Sequence, residues 1–246
     1  MEPTTVQDFL KRIRGVHIGV DIGQKVDYTA IVVAEVGERP GPQQQRDWRT
    51  GDLVAVPEST YRIHELRRLP LGTSFVAVAQ ELVKVVASIA EMEKRLRLEG
   101  YLTPYERSLP VDIWVDATGV GAPVVELMTN ALQVSKQTDH AYLHPITFTY
   151  GDKFDRVTGS LGKAHLVSCL QVLLEQDRLE LPQGDPQIDD MVEELKNYEI
   201  RVDTDANEKY GAFTVGQHDD MTTALGLACV EEPGFYSMEA GPNIWP

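Results

Sequence analysis

The sequence predicts an α/β fold in which a mixed β-sheet carries helices on both faces. Two observations lead to this prediction. The first apolar segments form two strand-like runs around a short polar turn, and later runs of strand length alternate with segments of helical periodicity. Hairpin strands are antiparallel neighbours, whereas strands separated by helices are commonly parallel neighbours. One sheet would therefore contain both kinds of pairing.

The first part of the chain supplies a hairpin, one further strand and a long helix. Gly15 to Val36 reads GVHIGVDIGQKVDYTAIVVAEV, which is two β-branched runs around a polar turn. Arg39 to Gly51 is rich in Pro, Gly and Gln and is predicted to be a loop. Asp52 to Val56 and Thr60 to Leu66 predict a third strand in two parts. Ser74 to Leu98 has apolar residues at helical spacing and predicts a helix covering one face of the sheet.

The remaining segments alternate between strand and helix patterns. Apolar runs predict strands at Val111 to Asp116 and Ala141 to Tyr150, and a second hairpin from Tyr198 to Val202 and Tyr210 to Val215. Amphipathic spacing predicts helices at Met1 to Arg14, Pro123 to Leu132, Gly162 to Gln176, Ile188 to Asn197 and from about His218 to Val230.

Length and composition restrict the class of protein. The chain has 246 residues, 42% of them hydrophobic and 25% charged, as expected for one soluble domain with insertions. The longest nearly uncharged apolar run, Leu71 to Val83, is too short to span a bilayer, so we expect no membrane segment and a cytoplasmic location. Cys169 and Cys229 lie on apolar helix faces and are predicted to be buried thiols. The net charge of −15 argues against tight independent binding to a polyanion.

Acidic residues stand at the ends of two predicted strands and at the start of the last helix. Asp21 ends the first apolar run, Asp116 ends the run VDIWVD, and Asp219 and Asp220 open the last helix. Each has a simpler explanation, a turn residue for Asp21 and helix capping for the Asp pair. Capping does not explain three separate acidic positions, and a carboxylate at the end of an apolar strand needs a partner.

The three motifs, in this order, resemble the nuclease domain of the large terminase subunit of tailed bacteriophages, which has a ribonuclease H-like fold. The matching stretches are DIGxxxDYTAIVV from Asp21, VDATGVGAPVVELM from Val115 and HDDMTTALGLA from His218. The resemblance implies a nuclease domain over residues 15–232, an N-terminal extension over 1–14 and a C-terminal tail over 233–246. It further implies a DNA endonuclease that cuts concatemeric viral DNA during genome packaging, in the host cytoplasm if the protein is viral.

The resemblance also implies the site. Asp21, Asp116 and Asp220 would be the catalytic carboxylates, with Asp219 either a supporting neighbour or a further metal ligand. Hard oxygen ligands suit two Mg²⁺ or Mn²⁺ ions, which at about 4 Å apart activate water and stabilise the leaving oxygen. Asp27 matches a further acidic position of these nucleases, while His218 and Lys163 are candidates for contacts with phosphate. Asp27 is equally explained as a solvated turn residue, and the simpler explanation of His218 and Lys163 is polar surface.

The expected partners are double-stranded DNA, a packaging ATPase domain or subunit, a small terminase subunit and the portal. No ATPase signature is found, because Gly162-Lys163 is followed by Ala164 and the phosphate-loop pattern fails. Two other functions remain open. An actin-like nucleotide-binding protein also starts with a DxG hairpin, and a Holliday-junction resolvase-like nuclease shares the fold.

Overall fold

The computed structural model describes residues 13–23, 27–98, 108–119, 121–135, 140–202, 208–211 and 218–230. The predicted N-terminal extension lies outside these ranges, apart from residues 13 and 14, which belong to the first strand. The predicted tail over 233–246 and the second half of the predicted strand Tyr210 to Val215 also lie outside them.

Ten strands and five helices make up the described part of the chain. The strands are β1 (Ile13–Asp21), β2 (Thr29–Arg46), β3 (Leu53–Leu69), β4 (Val111–Asp116), β5 (Ala141–Thr149), β6 (Phe154–Asp155), β7 (Ser160–Gly162), β8 (Leu179–Glu180), β9 (Glu199–Val202) and β10 (Glu208–Gly211). The helices are α1 (Phe75–Leu98), α2 (Gly121–Val134), α3 (Lys163–Glu175), α4 (Pro186–Lys196) and α5 (Asp220–Ala228).

Eight strands form one mixed sheet in the order β6-β7-β5-β4-β1-β2-β3-β8. β1, β2 and β3 are joined as antiparallel neighbours, whereas β4 pairs in parallel with both β1 and β5. β9 and β10 form a separate antiparallel pair. The mixed α/β sheet that the sequence predicts is therefore confirmed.

Helices cover both faces of this sheet because successive strand residues point to opposite sides. On β2, Ile31 and Val33 pack on one face with α1 and α2, and Ala30 and Val32 pack on the other with α3, α4 and α5. The continuous run of apolar residues in the first part of β2 follows from this two-sided burial.

The segment from Arg39 to Gly51 differs from the predicted loop, and that prediction is wrong. β2 continues to Arg46 and stays paired with β3, with an irregularity between Pro40 and Gln44 that accommodates the Pro and Gly residues. The turn between the strands is closed by a hydrogen bond from the Asp47 amide to the Asp52 carbonyl (2.8 Å). The two strands thus form a ribbon whose far end is mostly exposed.

Cys169 and Cys229 are both free thiols, and the predicted burial is confirmed for Cys229 only. Cys229 is buried, and Cys169 is half-buried. None of the helices in the described part of the chain has the length and apolar character needed to cross a membrane.

Candidate active site

Two of the predicted carboxylates lie side by side at one edge of the sheet. Asp21 is the last residue of β1, and Asp116 is the last residue of β4. The two strands are parallel neighbours in which Val20 pairs with Val115, so both carboxyl ends reach the same edge. The topology therefore brings together two residues that are 95 positions apart in the sequence.

The third acidic motif reaches this edge because α5 packs directly on β1. Gly19 permits the approach, since a Cβ atom at that position would lie 1.9 Å from the Ala224 carbonyl oxygen. One turn further along the helix, the Ala228 carbonyl oxygen lies 3.1 Å from His17 Nδ1. The helix thus runs opposite to β1, and its first residues stand beside the last residue of the strand.

The pKa of Asp21 reflects how close the three acidic motifs lie to one another. Burial raises the pKa of Asp21 well above its ordinary value, and the charges of Asp116 and Asp219 raise it further. The charge of Lys163 lowers the pKa of Asp21, and the charge of Asp220 raises it by a smaller amount. The three acidic motifs therefore share one local field in which a carboxylate is costly to ionise without a cation.

Lys163 is the first residue of α3 and faces the same cluster. Its Nζ lies 3.8 Å from Asp219 Oδ2 and 5.4 Å from the centre of the Phe148 ring. The cation is about two-thirds buried. Lys163 is thus part of the acidic site and not the isolated surface residue that the sequence also allowed.

The loop after β4 fixes the direction of Asp116. One carboxylate oxygen, Oδ1, accepts a hydrogen bond from the Thr118 amide (2.8 Å). The Thr118 hydroxyl oxygen in turn accepts one from the Phe148 amide of β5 (2.8 Å). The position of Asp116 is therefore tied to the neighbouring strand.

Asp219 and Asp220 have different surroundings although they are adjacent. Asp220 is buried, and both of its carboxylate oxygens accept hydrogen bonds from Arg68, from Nε at 2.8 Å and from Nη2 at 2.7 Å. Asp219 is half-buried and stands at the N-cap of α5, where its carboxylate accepts no capping hydrogen bond from the described residues. Asp219 therefore faces the acidic cluster with Lys163, while Asp220 faces Arg68.

Glu194 of α4 caps α5 in place of either Asp. Its Oε2 accepts hydrogen bonds from the amides of Met221 (3.1 Å) and Thr222 (3.3 Å), and its Oε1 contacts Arg68 Nη2. Burial raises the pKa of Glu194 to about 7, the charge of Asp220 contributes to the increase, and Arg68 opposes it. This carboxylate thus supports the first turn of the helix.

Sequence reasoning missed Arg68 and Glu194. The one available signal for Arg68 was strand alternation, because it lies two residues after Leu66, whose side chain packs on the face covered by α3, α4 and α5. The signal for Glu194 was weaker still, since an acidic residue on a helix is ordinarily solvated.

His218 and Tyr28 lie beside the cluster, whereas in the described part of the chain Asp27 does not contact it. The Tyr28 ring packs edge-on against His218 with 4.9 Å between ring centres, and the Arg68 guanidinium lies 4.7 Å from the centre of the Tyr28 ring. Asp27 is exposed, and no contact among the described residues joins its carboxylate to the acidic cluster.

The residues fit a divalent cation by their chemistry. Asp21, Asp116 and Asp219 offer hard oxygen ligands, and their mutual repulsion is the kind that a cation relieves. In their present orientation, however, the side chains of the described residues include no group of three or more His, Cys, Asp or Glu arranged to hold a metal ion.

Comparison with solved structures identifies the fold. The alignment with the large terminase nuclease of the thermophilic phage G20c with bound cobalt covers 91% of this chain and 86% of that chain, at 20% identity and a TM-score of 0.50. Over 89% of its length, this chain aligns with 82% of the Mn-soaked, inhibitor-bound terminase nuclease domain of human cytomegalovirus, at 13% identity and a TM-score of 0.51.

This chain has the terminase nuclease fold. No protein-family model matches it, and comparison with curated proteins gives no match either. The resemblance that the three acidic motifs predict is thus confirmed at the level of the fold, with the ribonuclease H-like arrangement of sheet and helices. The acidic edge formed by β1, β4 and α5 is the candidate active site of this terminase nuclease fold.

Proposed function

We propose that this chain is a divalent-metal-dependent DNA endonuclease domain that cuts concatemeric viral DNA during genome packaging. One observation carries the proposal: a chain with the terminase nuclease fold brings carboxylates from β1, β4 and α5 to one edge of its sheet. The related structures from phage G20c and cytomegalovirus are described with cobalt and manganese, which supports a requirement for divalent metal.

The proposed metal ligands are Asp21, Asp116 and Asp219. When bound, divalent ions, expected to be two Mg²⁺ or Mn²⁺, supply activation of water and neutralisation of charge for phosphodiester hydrolysis. Asp220 is already bound to Arg68 through both carboxylate oxygens, so we assign it to support of the site. The resemblance implied that Asp220 is a metal ligand and that Asp219 is either a supporting neighbour or a further ligand, so this assignment changes the role of Asp220 and keeps Asp219 as a ligand.

The other polar residues of the edge would act on the substrate. Lys163 lies within the acidic cluster and carries the charge that a phosphate requires. His218, held against Tyr28, stands next to Asp219 and is proposed to orient a phosphate or a water molecule. Asp27 is proposed only as a further contact outside the cluster, because its carboxylate is exposed.

The proposed partners follow from the function and from the charge. A net charge of −15 opposes independent association with DNA, so we propose that double-stranded DNA is delivered by a packaging ATPase domain or subunit, with a small terminase subunit and a portal. Such a complex would act in the cytoplasm of the host cell.

Cleavage of supercoiled plasmid tests the proposal. We expect nicking and linearisation in Mn²⁺ or Mg²⁺ and none in EDTA, with loss of cleavage in Asp21→Asn and Asp116→Asn. Asp52→Asn is the matched control, because it removes the same charge at the exposed turn of the β2–β3 ribbon. Both site variants should also lose the rise in melting temperature that Mn²⁺ gives the wild type.

Either of two results would contradict the proposal. Metal-dependent cleavage that survives in Asp21→Asn and Asp116→Asn would place the nuclease activity elsewhere or in a contaminant. Absence of cleavage together with stabilisation by ATP and not by Mn²⁺ would favour the actin-like nucleotide-binding function.

A further inference from the structure

Arg68 joins the start of α5 to β3 and α4. We propose that Arg68 is a positioning residue that fixes the start of α5, so that Asp219 faces Asp21 and Asp116 while Asp220 is withheld from the metal. The inference rests on the proposed function, because it concerns the same metal site.

The first step is the geometry of the guanidinium. Nε and Nη2 of Arg68 donate to the two carboxylate oxygens of Asp220 at 2.8 and 2.7 Å, and Nη2 also contacts Glu194. A planar fork with two parallel hydrogen bonds fixes the direction of a carboxylate as well as its distance. Asp220 therefore has one orientation, which is directed at β3 and α4.

The second step is burial. The side chains of Arg68, Asp220 and Glu194 are 21%, 4% and 10% exposed. Solvent and salt weaken the attraction within such a buried ion pair much less than they weaken the attraction within an exposed pair. Removal of one partner would leave buried charge without compensation, so this cluster holds its arrangement strongly.

The third step connects Asp220 to Asp219. Asp219 is the N-cap of α5, with non-helical backbone angles (φ −132°, ψ 9°), and one planar peptide unit joins it to Asp220. With Asp220 fixed toward Arg68, and with Glu194 accepting from the amides of Met221 and Thr222, the rotation of the first turn is determined. The carboxylate of Asp219 is consequently directed to the side where Lys163 and Asp21 lie.

The fourth step is the contact between the Arg68 guanidinium and the Tyr28 ring. The Tyr28 ring lies 4.7 Å from Arg68 Cζ and contacts His218, the residue before Asp219. Arg68 therefore links β3 to α4, α5 and the segment that precedes β2. A change at Arg68 would thus alter how the last helix approaches the first strand.

Affinity for Mn²⁺, measured by calorimetry without DNA, tests the proposal in the whole chain. Since outer partners of metal ligands typically contribute 10- to 100-fold to affinity, we expect Arg68→Ala to weaken Mn²⁺ binding at least about tenfold. Arg68→Lys keeps the charge but not the planar fork and should lie between Arg68→Ala and the wild type. If Arg68→Ala does not fold, the Mn²⁺ affinity of Arg68→Lys relative to the wild type tests the proposal.

Arg67→Ala is the matched control. Arg67 is the preceding residue of β3, is also part-buried, and pairs with Glu65 and Glu81 instead of Asp220. The substitution removes the same charge together with ion pairs that are more exposed than those of Arg68, and we expect Mn²⁺ affinity within about twofold of the wild type. If Arg68 acted only on stability, folded Arg68→Ala would bind Mn²⁺ as folded Arg67→Ala does, whatever the difference between their melting temperatures.

A double variant separates the two roles of Asp220. If Asp220 acts only through Arg68, Arg68→Ala with Asp220→Asn binds Mn²⁺ as Arg68→Ala does, to within about twofold. If Asp220 is itself a metal ligand, the second substitution weakens binding further, and Arg68→Ala alone leaves binding unchanged or tighter. Either of these last results overturns the proposal.

The failure of the proposed function gives a different pattern. In that case the wild type does not bind Mn²⁺, or binds it equally well after Asp21→Asn. The comparison of Arg68 with Arg67 applies only when the wild type binds Mn²⁺ through Asp21, and the Asp21→Asn measurement decides that point first.

Discussion

The contact between Gly19 and α5 can be tested with a single methyl group. In Gly19→Ala the new Cβ would lie 1.9 Å from the Ala224 carbonyl oxygen and 2.6 Å from the Ala228 amide nitrogen. Both are backbone atoms, so no side-chain rotation relieves the overlap. To reach an ordinary contact of 3.4 Å, strand and helix must separate by about 1.5 Å at this point.

The expected cost is at the upper end of the range for overpacking, about 3 kcal/mol, because α5 is buried along its whole length. For a chain of this size, that corresponds to a fall in melting temperature of roughly 6–12 °C. The separation also moves Asp219 away from Asp21, so we expect a clear loss of stabilisation by Mn²⁺ in the same variant.

Differential scanning calorimetry with and without Mn²⁺ measures both effects. Gly15→Ala is the control, because it lies on the same strand and its Cβ would meet the Pro110 carbonyl oxygen at 3.1 Å. Both variants restrict the unfolded chain equally, so their difference isolates the overlap with α5. A Gly19→Ala protein that melts within about 2 °C of the wild type and keeps its response to Mn²⁺ would refute the reasoning.

Three further predictions concern ionisation and charge. In EDTA, the titration of Glu194 should lower the free energy of unfolding by roughly 3 kcal/mol as the pH rises from below 4.5 through 7, because the pKa of Glu194 is about 7 in the folded protein and near 4.5 when unfolded. Denaturant melts of Glu194→Gln should lack this pH-dependent decrease. Lys163→Ala should tighten Mn²⁺ binding in calorimetry, since a cation is removed from beside Asp219, and should slow plasmid cleavage, since a phosphate contact is lost; a parallel loss of both would contradict this role. Burial raises the pKa of the Cys229 thiol, so a thiol reagent should modify only Cys169 in the folded protein and both cysteines in denaturant. A thiol that reacts fast in the folded Cys169→Ser variant would contradict this prediction.

Local patterns predicted most of the fold. β1, the first part of β2 and β4 are buried on both faces, so their apolar runs are long and unambiguous. The long helix α1 and the helix α3 follow from amphipathic spacing and begin and end within one residue of the predicted bounds. The edge at which Asp21 and Asp116 meet follows from parallel pairing alone.

The β2–β3 ribbon was missed because burial does not produce it. Its distal residues are exposed on both faces, so no alternation of apolar and polar residues marks them as strands. Hydrogen bonds of the ladder hold the ribbon together; every residue offers a carbonyl acceptor for them, and every residue except Pro also offers an amide donor. Composition rich in Gln, Gly and Pro therefore predicted a loop where the pairing continues.

The difference between Asp219 and Asp220 could not be predicted because both partners that decide it are distant in sequence. Arg68 is 152 residues from Asp220 and 126 residues from Glu194, and nothing local indicates that these three meet. Adjacent carboxylates at the start of a helix predict capping, a metal ligand or both. In the folded chain, capping falls to Glu194, Asp220 is bound by Arg68, and Asp219 alone is directed at Asp21. Two adjacent acidic residues at the start of a helix thus take separate roles from the strand and helix that surround them, and Mn²⁺ affinities of the Arg68 and Arg67 variants test the consequence proposed for metal binding.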